Sequence, residues 1–379
     1  MIEWHVLTGE YPPQPGGVSD YTRQVARGLA QAGDAVTIWA PPAAGRDVPD
    51  AGITVHRLPD RFGSRSLRRL GRELDGRRPA QLLVQYVPHA FGWRAANLPF
   101  CGWLRSRRHD RLWVMFHEVA FPFERGNGAP RHALAAVNRL MAGLVGRSAE
   151  RVFISIPGWR AQLRGLVRRD ARVEWLPVPS SIDVLNDPPG RRSVRRLYAG
   201  DRPLIGHFGT YGASIESAVS CALVEIFPRS EAQALLLGRG SDAAARAFGE
   251  RFPQFKGRVH GTGTLSDADL SRHIAACDLM LQPYPDGISS RRTSAMAVLR
   301  HGRPIVTTRG RLTEPLWEQS GAVALVDIGD PVALARAAGA LLDDEPRRGQ
   351  LSSLGPAIYD AQFDLRHTIA ALRIDSAAG

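Results

Sequence analysis

Two loops in this sequence carry the residue types that bind anions. The first reads EYPPQPGGVSD from Glu10 to Asp20. Gly16 and Gly17 let the backbone come close to a ligand, and a helix starting there would offer its free N–H groups to negative charge. The second reads DGISSRRTSAM from Asp286 to Met296. Gly287, Ile288, Ser289 and Ser290 are followed by Arg291 and Arg292 ahead of a predicted helix, a pattern suited to phosphate. Two histidines stand at predicted strand ends, His89 in YVPH and His117 in VMFHE, where a polar substrate could be touched.

The elements that must position these residues follow a βαβα rhythm. Strands are predicted over 2–9, 35–40, 53–58, 82–88, 112–117 and 152–156, then over 204–208, 234–237, 258–260, 279–282, 305–308 and 323–327. Val18, Tyr21, Val25 and Leu29 recur at helical spacing, and Gly33 stops that helix. Further helices are predicted near 214–227, 241–251, 266–276, 292–301 and 331–343, with a last helical stretch over 356–373. Apolar strands alternating with helices imply parallel sheets covered on both faces. The expected division is a first α/β domain over 1–186, a linker over 187–201, a second α/β domain over 202–355, and a tail over 356–379 that crosses back to the first. Ligands of open parallel sheets bind beyond the strand carboxyl ends, where both loops lie.

Composition narrows the chemistry. With 379 residues, 44% hydrophobic and 23% charged, the chain is an ordinary globular protein. Its first strand has no cationic lead and no run reaches transmembrane length, so a cytoplasmic location is expected. Cys101, Cys221 and Cys277 are too scattered for a zinc site or a disulfide framework. Net charge is +12, of which +9 falls in residues 1–190. That asymmetry suggests an anionic partner on the first half. The stretch Arg61–Arg78 holds seven arginines against Glu73 and Asp75, with Leu67, Leu70 and Leu74 on one helical face. A peripheral contact with an anionic inner membrane surface is expected there. No helix-turn-helix, RNP pattern or zinc finger supports nucleic acid.

Three motifs invite other readings. Gly238-Arg239-Gly240-Ser241-Asp242-Ala243 fits a dinucleotide fingerprint, yet no acid follows on the next strand tip, and it trails the second strand of its domain. Asp267-Ala268-Asp269 could hold a metal, but Ser266 three residues before Asp269 is a helix-start pattern, so no metal is expected. The only lysine, Lys256, is followed by Gly257 outside any Walker loop.

These loops, in this order, resemble those of the retaining family 4 glycosyltransferases of the GT-B fold. The resemblance runs through EYPPQPGGVSDY, VMFHE, VEWLPVPSSID, LLLGRGS, VHGTGTLSDADL and PYPDGISSRRTSAMAVLRHGRPIVTT. It implies two doubly wound Rossmann-like domains facing across a cleft, the second holding a nucleotide-diphospho-sugar donor and the first an acceptor. Asp286 takes the place of the family's first glutamate, which contacts the donor sugar. Ser294 replaces the second, whose place is on the ribose. His117 matches a histidine that faces the donor sugar. The basic pair of the family's loop after the second domain's first strand is missing from His207-Phe208-Gly209-Thr210-Tyr211-Gly212, and Arg291 or Arg292 is expected to compensate. Arg239 is placed near the donor phosphates, with Gly16, Gly17 and Gly209 completing the donor set and His89 on the acceptor side.

The expected activity is retaining, metal-independent transfer of a sugar to a saccharide, lipid-linked saccharide or secondary metabolite. No resident cofactor is expected, and UDP, GDP, ADP and dTDP are not distinguished. A non-catalytic sugar-nucleotide binder and a sugar-nucleotide epimerase are the alternatives. A phosphorylase is disfavoured, because Lys256 sits in a polar segment unsuited to pyridoxal phosphate.

Overall fold

The computed structural model describes residues 1–46, 49–77, 79–123, 126 and 128–374. The chain forms two compact units, one of residues 1–177 with 365–379 and one of residues 178–364.

The first unit is built on seven strands: β1 (Glu3–Thr8), β2 (Ala35–Ala40), β3 (Ile53–Arg57), β4 (Gln81–Tyr86), β5 (Arg111–Phe116), β6 (Arg151–Ile154) and β7 (Arg172–Trp175). They lie in the order β3-β2-β1-β4-β5-β6-β7, with every neighbouring pair parallel. Strand β4 is buried at all six positions, as a central strand covered on both faces must be. Chain direction across the sheet reverses between β1 and β4, so the loops that open a crevice are those after these two strands.

Helix Gly17–Gln31 covers one face with Tyr21, Val25 and Leu29, and Gly33 adopts φ 89° just past its end. The helix Leu365–Arg373 packs on it, so the last described residues return to the first unit. Gly28 permits that crossing, because a Cβ there would stand 2.6 Å from Ile369 Cδ1. Arg373 reaches Asp34 at 3.1 Å, and Arg151 donates to the carbonyl of Ala371.

The second unit holds β8 (Leu204–Phe208), β9 (Gln233–Leu237), β10 (Val259–Gly261), β11 (Leu279–Gln282), β12 (Ile305–Arg309) and β13 (Ala324–Asp327). Their order is β10-β9-β8-β11-β12-β13, again parallel, with the reversal between β8 and β11.

Three expectations about chain layout differ from the structure. Residues 187–201, read as a linker, form a helix over Pro188–Tyr198 that belongs to the second unit. Asp187 caps it by accepting from the N–H of Gly190, and the two prolines stand in the first turn, where no N–H is needed. Arg272 and Arg195 tie it down through Asp187 at 2.6 Å and Asp278 at 2.9 Å. The second unit begins at Val178, whose N–H donates to the carbonyl of Ser290, so the first unit ends at 177 and not at the expected 186. The return falls at Leu365, beyond the expected 356, since the helix Glu345–Ile358 stays with the second unit and buries Leu351 in its core.

Candidate active site

In the second unit the loops after β9, β8 and β11 stand side by side at one sheet edge, and they carry Arg239, Gly209 and the 286–294 segment. Gly238 is held at φ 104°, with space for a Cβ closed by the carbonyl of Gly209 at 2.7 Å. The glycines of the would-be dinucleotide fingerprint therefore let two neighbouring loops touch. Arg239 is exposed and makes no hydrogen bond or ion pair among the described residues. Beneath Gly209, His207 is buried and its Nδ1 lies 2.8 Å from the carbonyl of Leu281. Burial pulls its pKa down to about 4, so the ring stays neutral near pH 7.

The loop after β11 is stitched to the loop after β12. Thr308 Oγ1 accepts from the N–H of Tyr284 and donates to its carbonyl, each at 2.7 Å. Ile288 donates to the carbonyl of Thr308, and Leu312 to that of Asp286. Gly287 sits at φ 85° against Gly310, where a Cβ would meet the Gly310 nitrogen at 2.3 Å. This close approach is why the position must be glycine.

Two buried or half-buried acids organise the segment. Glu314 is 6% exposed and accepts from the N–H of Ser290 at 2.9 Å and from Trp317 Nε1 at 2.7 Å. Burial pushes its carboxyl above the ordinary value of 4.5. Asp286 is met by Arg311 at 2.8 Å and by Arg291 and Arg292 at 3.7 Å each. The Arg292 guanidinium also lies 4.8 Å from the centre of the Tyr284 ring. The helix Thr293–Arg300 begins here, with Arg292 as its N-cap residue giving no side-chain cap.

Several sequence expectations are altered by these contacts. Asp286 is engaged by three guanidiniums, so its carboxylate is not a bare acceptor for a sugar hydroxyl. Ser290 turns its N–H and its hydroxyl to Glu314, and both serine side chains are fully buried; Ser289 Oγ has no hydrogen-bond partner among the described residues. Neither hydroxyl reaches an anion at the surface. The Ser294 hydroxyl is 2.8 Å from the Tyr284 hydroxyl, whose pKa burial raises to about 12. Asp267 and Asp269 stand in the first turn of helix Asp267–Ala276, where Ser266 caps the N–H of Asp269 and Arg272 pairs with it at 2.8 Å. A cavity of about 620 Å³ is lined by Pro283, Tyr284 and Pro285 of the loop after β11 together with Cys221 and Thr308, and by none of the arginines.

In the first unit the loops after β1, β4 and β5 carry Gly16 and Gly17, His89, and His117. His117 is 7% exposed, and its Nε2 lies 2.8 Å from Gln85 Oε1 on β4. Tyr21, from the first helix, meets the imidazole edge to face at 4.9 Å. The backbone carbonyl of His117 accepts from Ser155 Oγ and from Trp159 Nε1. His89 is exposed, 4.0 Å from Glu118. Glu10 joins this group: burial raises its carboxyl pKa, and the charge of His89 opposes the shift. Gly16 is shaped by Glu10, since a Cβ at Gly16 would fall 2.1 Å from the carboxylate. Gly17 has nothing within 4 Å of that position.

Sequence reasoning missed Glu10, Gln85, Arg311 and Glu314. Glu10 stands inside the motif EYPPQPGGVSD, and only the fold shows its carboxylate beside Gly16. The other three act from neighbouring strands or loops, and only the sheet order brings them in.

Comparison with known proteins follows the same division. Residues 16–179 match the family model described as glycosyl transferase 4-like domain, and residues 202–344 match that of glycosyl transferases group 1. None of the curated proteins matches the chain. Among solved structures, sucrose-phosphate synthase from Thermosynechococcus elongatus superposes with a TM-score of 0.75 at 17% identity over 100% of both chains. HepE from Anabaena, in complex with UDP and glucose, gives 0.73 at 15% identity over 100% of both. The E. coli trehalose-6-phosphate protein bound with UDP-2-fluoro glucose gives 0.68 at 12% identity over 98% of both. At such identities the structures speak for the fold, and the two family matches carry the rest. Both halves point the same way: the chain belongs to the family 4-like glycosyltransferases and has their GT-B fold.

Proposed function

We propose that this glycosyltransferase takes a nucleotide-diphospho-sugar donor on its second unit and transfers the sugar, with retention and without a metal ion, to an acceptor bound by the first. The observation that carries this reading is the gathering of Arg291 and Arg292 beside Asp286 at the start of helix Thr293–Arg300. Departure of a nucleoside diphosphate puts negative charge on the β-phosphate. Fixed guanidiniums and helix N–H groups meet that charge without a metal. UDP or UDP-sugars are bound by several structures of the same fold, which supports a nucleotide-sugar donor. We further assign the donor sugar to His117, whose ring Gln85 and Tyr21 fix, and the acceptor to His89.

A thermal-shift panel of UDP, GDP, ADP, CDP and dTDP tests the donor. The true ligand at 100 times its Kd should add about 2.7 kcal/mol of stability. Arg291→Ala or Arg292→Ala should weaken binding of that nucleotide about tenfold, as loss of a charge-assisted bond of roughly 1.5–3 kcal/mol implies. If neither substitution alters binding, the phosphate assignment is wrong.

No helix among the described residues is long and apolar enough to cross a membrane. We place the enzyme in the cytoplasm, resting peripherally on an anionic inner membrane surface through the Arg61–Arg78 stretch; Arg78 lies outside the described residues. Helix Ser64–Asp75 buries Leu70 and Leu74 in its own unit and leaves Arg65, Arg68 and Arg72 exposed. Contact would therefore be electrostatic, about 1 kcal/mol per arginine and screened by salt. Anionic vesicles should co-sediment the protein at low salt and release it at high salt. Replacing Arg65, Arg68 and Arg72 by serine should abolish the effect. Equal binding to zwitterionic vesicles would refute it.

A further inference from the structure

Arg311 is the arginine of the cluster that no sequence motif pointed to. It lies in the loop after β12, and its side chain is 58% exposed. Among the described residues its one hydrogen bond is to Asp286 Oδ1, at 2.8 Å. Asp286 presents its other oxygen, Oδ2, to Arg291 and Arg292. Three positive charges thus surround one negative charge, leaving an excess of two beside the helix N-terminus. A guanidinium has five N–H donors in a planar fork. Arg311 spends one on Asp286 and turns the rest to solvent.

The cluster has two sides. Arg291 and Arg292 are half-buried, and Arg292 stacks on Tyr284 at the helix start. That side suits the tetrahedral oxygens of a diphosphate. Arg311 stands across the Asp286 carboxylate from them. One carboxylate touches both sides, so the two subsites lie within the breadth of a hexose ring. A neutral sugar in that space would meet an exposed guanidinium, with the nearest carboxylate already engaged. A planar anion would complete the fork in bidentate fashion.

We infer that Arg311 selects a donor whose sugar carries a carboxylate, a nucleotide-diphospho-hexuronate. The inference rests on the donor site proposed above. In it, Asp286 holds the Arg311 fork in position, and Arg311 is a specificity-determining residue that takes no part in bond breaking.

The test is calorimetric titration of the full chain with UDP, UDP-glucose and UDP-glucuronate, and with GDP, GDP-mannose and GDP-mannuronate. In the series whose free diphosphate binds, the hexuronate should bind about tenfold tighter than the hexose, a difference of about 1.4 kcal/mol. Arg311→Ala should erase that preference and leave the Kd of the free diphosphate within about twofold. Arg311→Lys should keep part of the preference, as a point charge without the fork. Arg311 is exposed, and the melting temperature of each variant without ligand checks that the fold is intact. Equal or tighter binding of the hexose, or a hexuronate preference that survives Arg311→Ala, overturns this inference alone. Absence of binding by UDP and GDP overturns this inference, and absence of binding by all five diphosphates of the panel overturns the donor site with it.

Discussion

Glu314→Leu should destabilise the second unit and strip the enzyme of its donor affinity. The carboxylate satisfies the N–H of Ser290 and the indole N–H of Trp317, both in a dry environment. Each buried donor left without a partner costs about 1–3 kcal/mol, so a loss of about 2–5 kcal/mol is expected in urea unfolding. The Ser289–Ser290 backbone leads directly into Arg291 and Arg292, and its release should weaken nucleoside diphosphate binding more than tenfold. Glu314→Gln should recover about half of the stability, because its amide oxygen can accept from one donor while its NH2 group faces the other. The pH dependence has a defined sign. Burial holds this carboxyl above its ordinary 4.5, so the native state keeps its proton to higher pH than the unfolded chain does. Stability contributed by the group is therefore greatest below the unfolded value and falls as pH rises through the folded one. Glu314→Gln should flatten that slope. A leucine variant as stable as the parent would remove Glu314 from this role.

His117→Ala should lower turnover about a hundredfold while the Kd of the nucleoside diphosphate stays within about twofold. Loss of a hydrogen-bonding group at the reacting centre has effects of this size, and a group that meets only the sugar acts on kcat rather than on nucleotide binding. Gln85→Leu removes the partner of Nε2 without touching the imidazole itself. It should produce a smaller loss in kcat with the same sparing of nucleotide affinity. Equal loss of turnover and nucleotide binding in His117→Ala would take the histidine out of the sugar site.

What the sequence displayed depended on the range of the interaction. The strands of the second unit, 204–208 through 323–327, were legible because fully buried parallel strands read as short apolar runs between helices. Ser266 and Asp269 were legible as a cap because capping is local, three residues apart. Strand β7 at Arg172–Trp175 escaped, since its alternating charged and apolar residues mark an edge strand and not a buried one. The Pro188–Tyr198 helix escaped because Asp-Pro-Pro serves turns and helix starts alike. In the site, the placement of Arg291 and Arg292 beside Asp286 follows from five or six residues of chain. Arg311 on Asp286, Gln85 on His117 and Glu314 on Ser290 span 24 to 32 residues and depend on which strands are neighbours. Sheet order decided them, and a single sequence does not state sheet order.

The return of Leu365–Arg373 to the helix Gly17–Gln31 has a consequence for biosynthesis. The second unit is contiguous, from 178 to 364, and can complete its fold once those residues have left the ribosome. The first unit has most of its residues in hand much earlier, yet Gly28 and the face around it remain uncovered until Ile369 arrives. Domains commonly fold in the order of synthesis. Here the order of completion is inverted, and a nascent chain exposes an unfinished first unit throughout translation of the second.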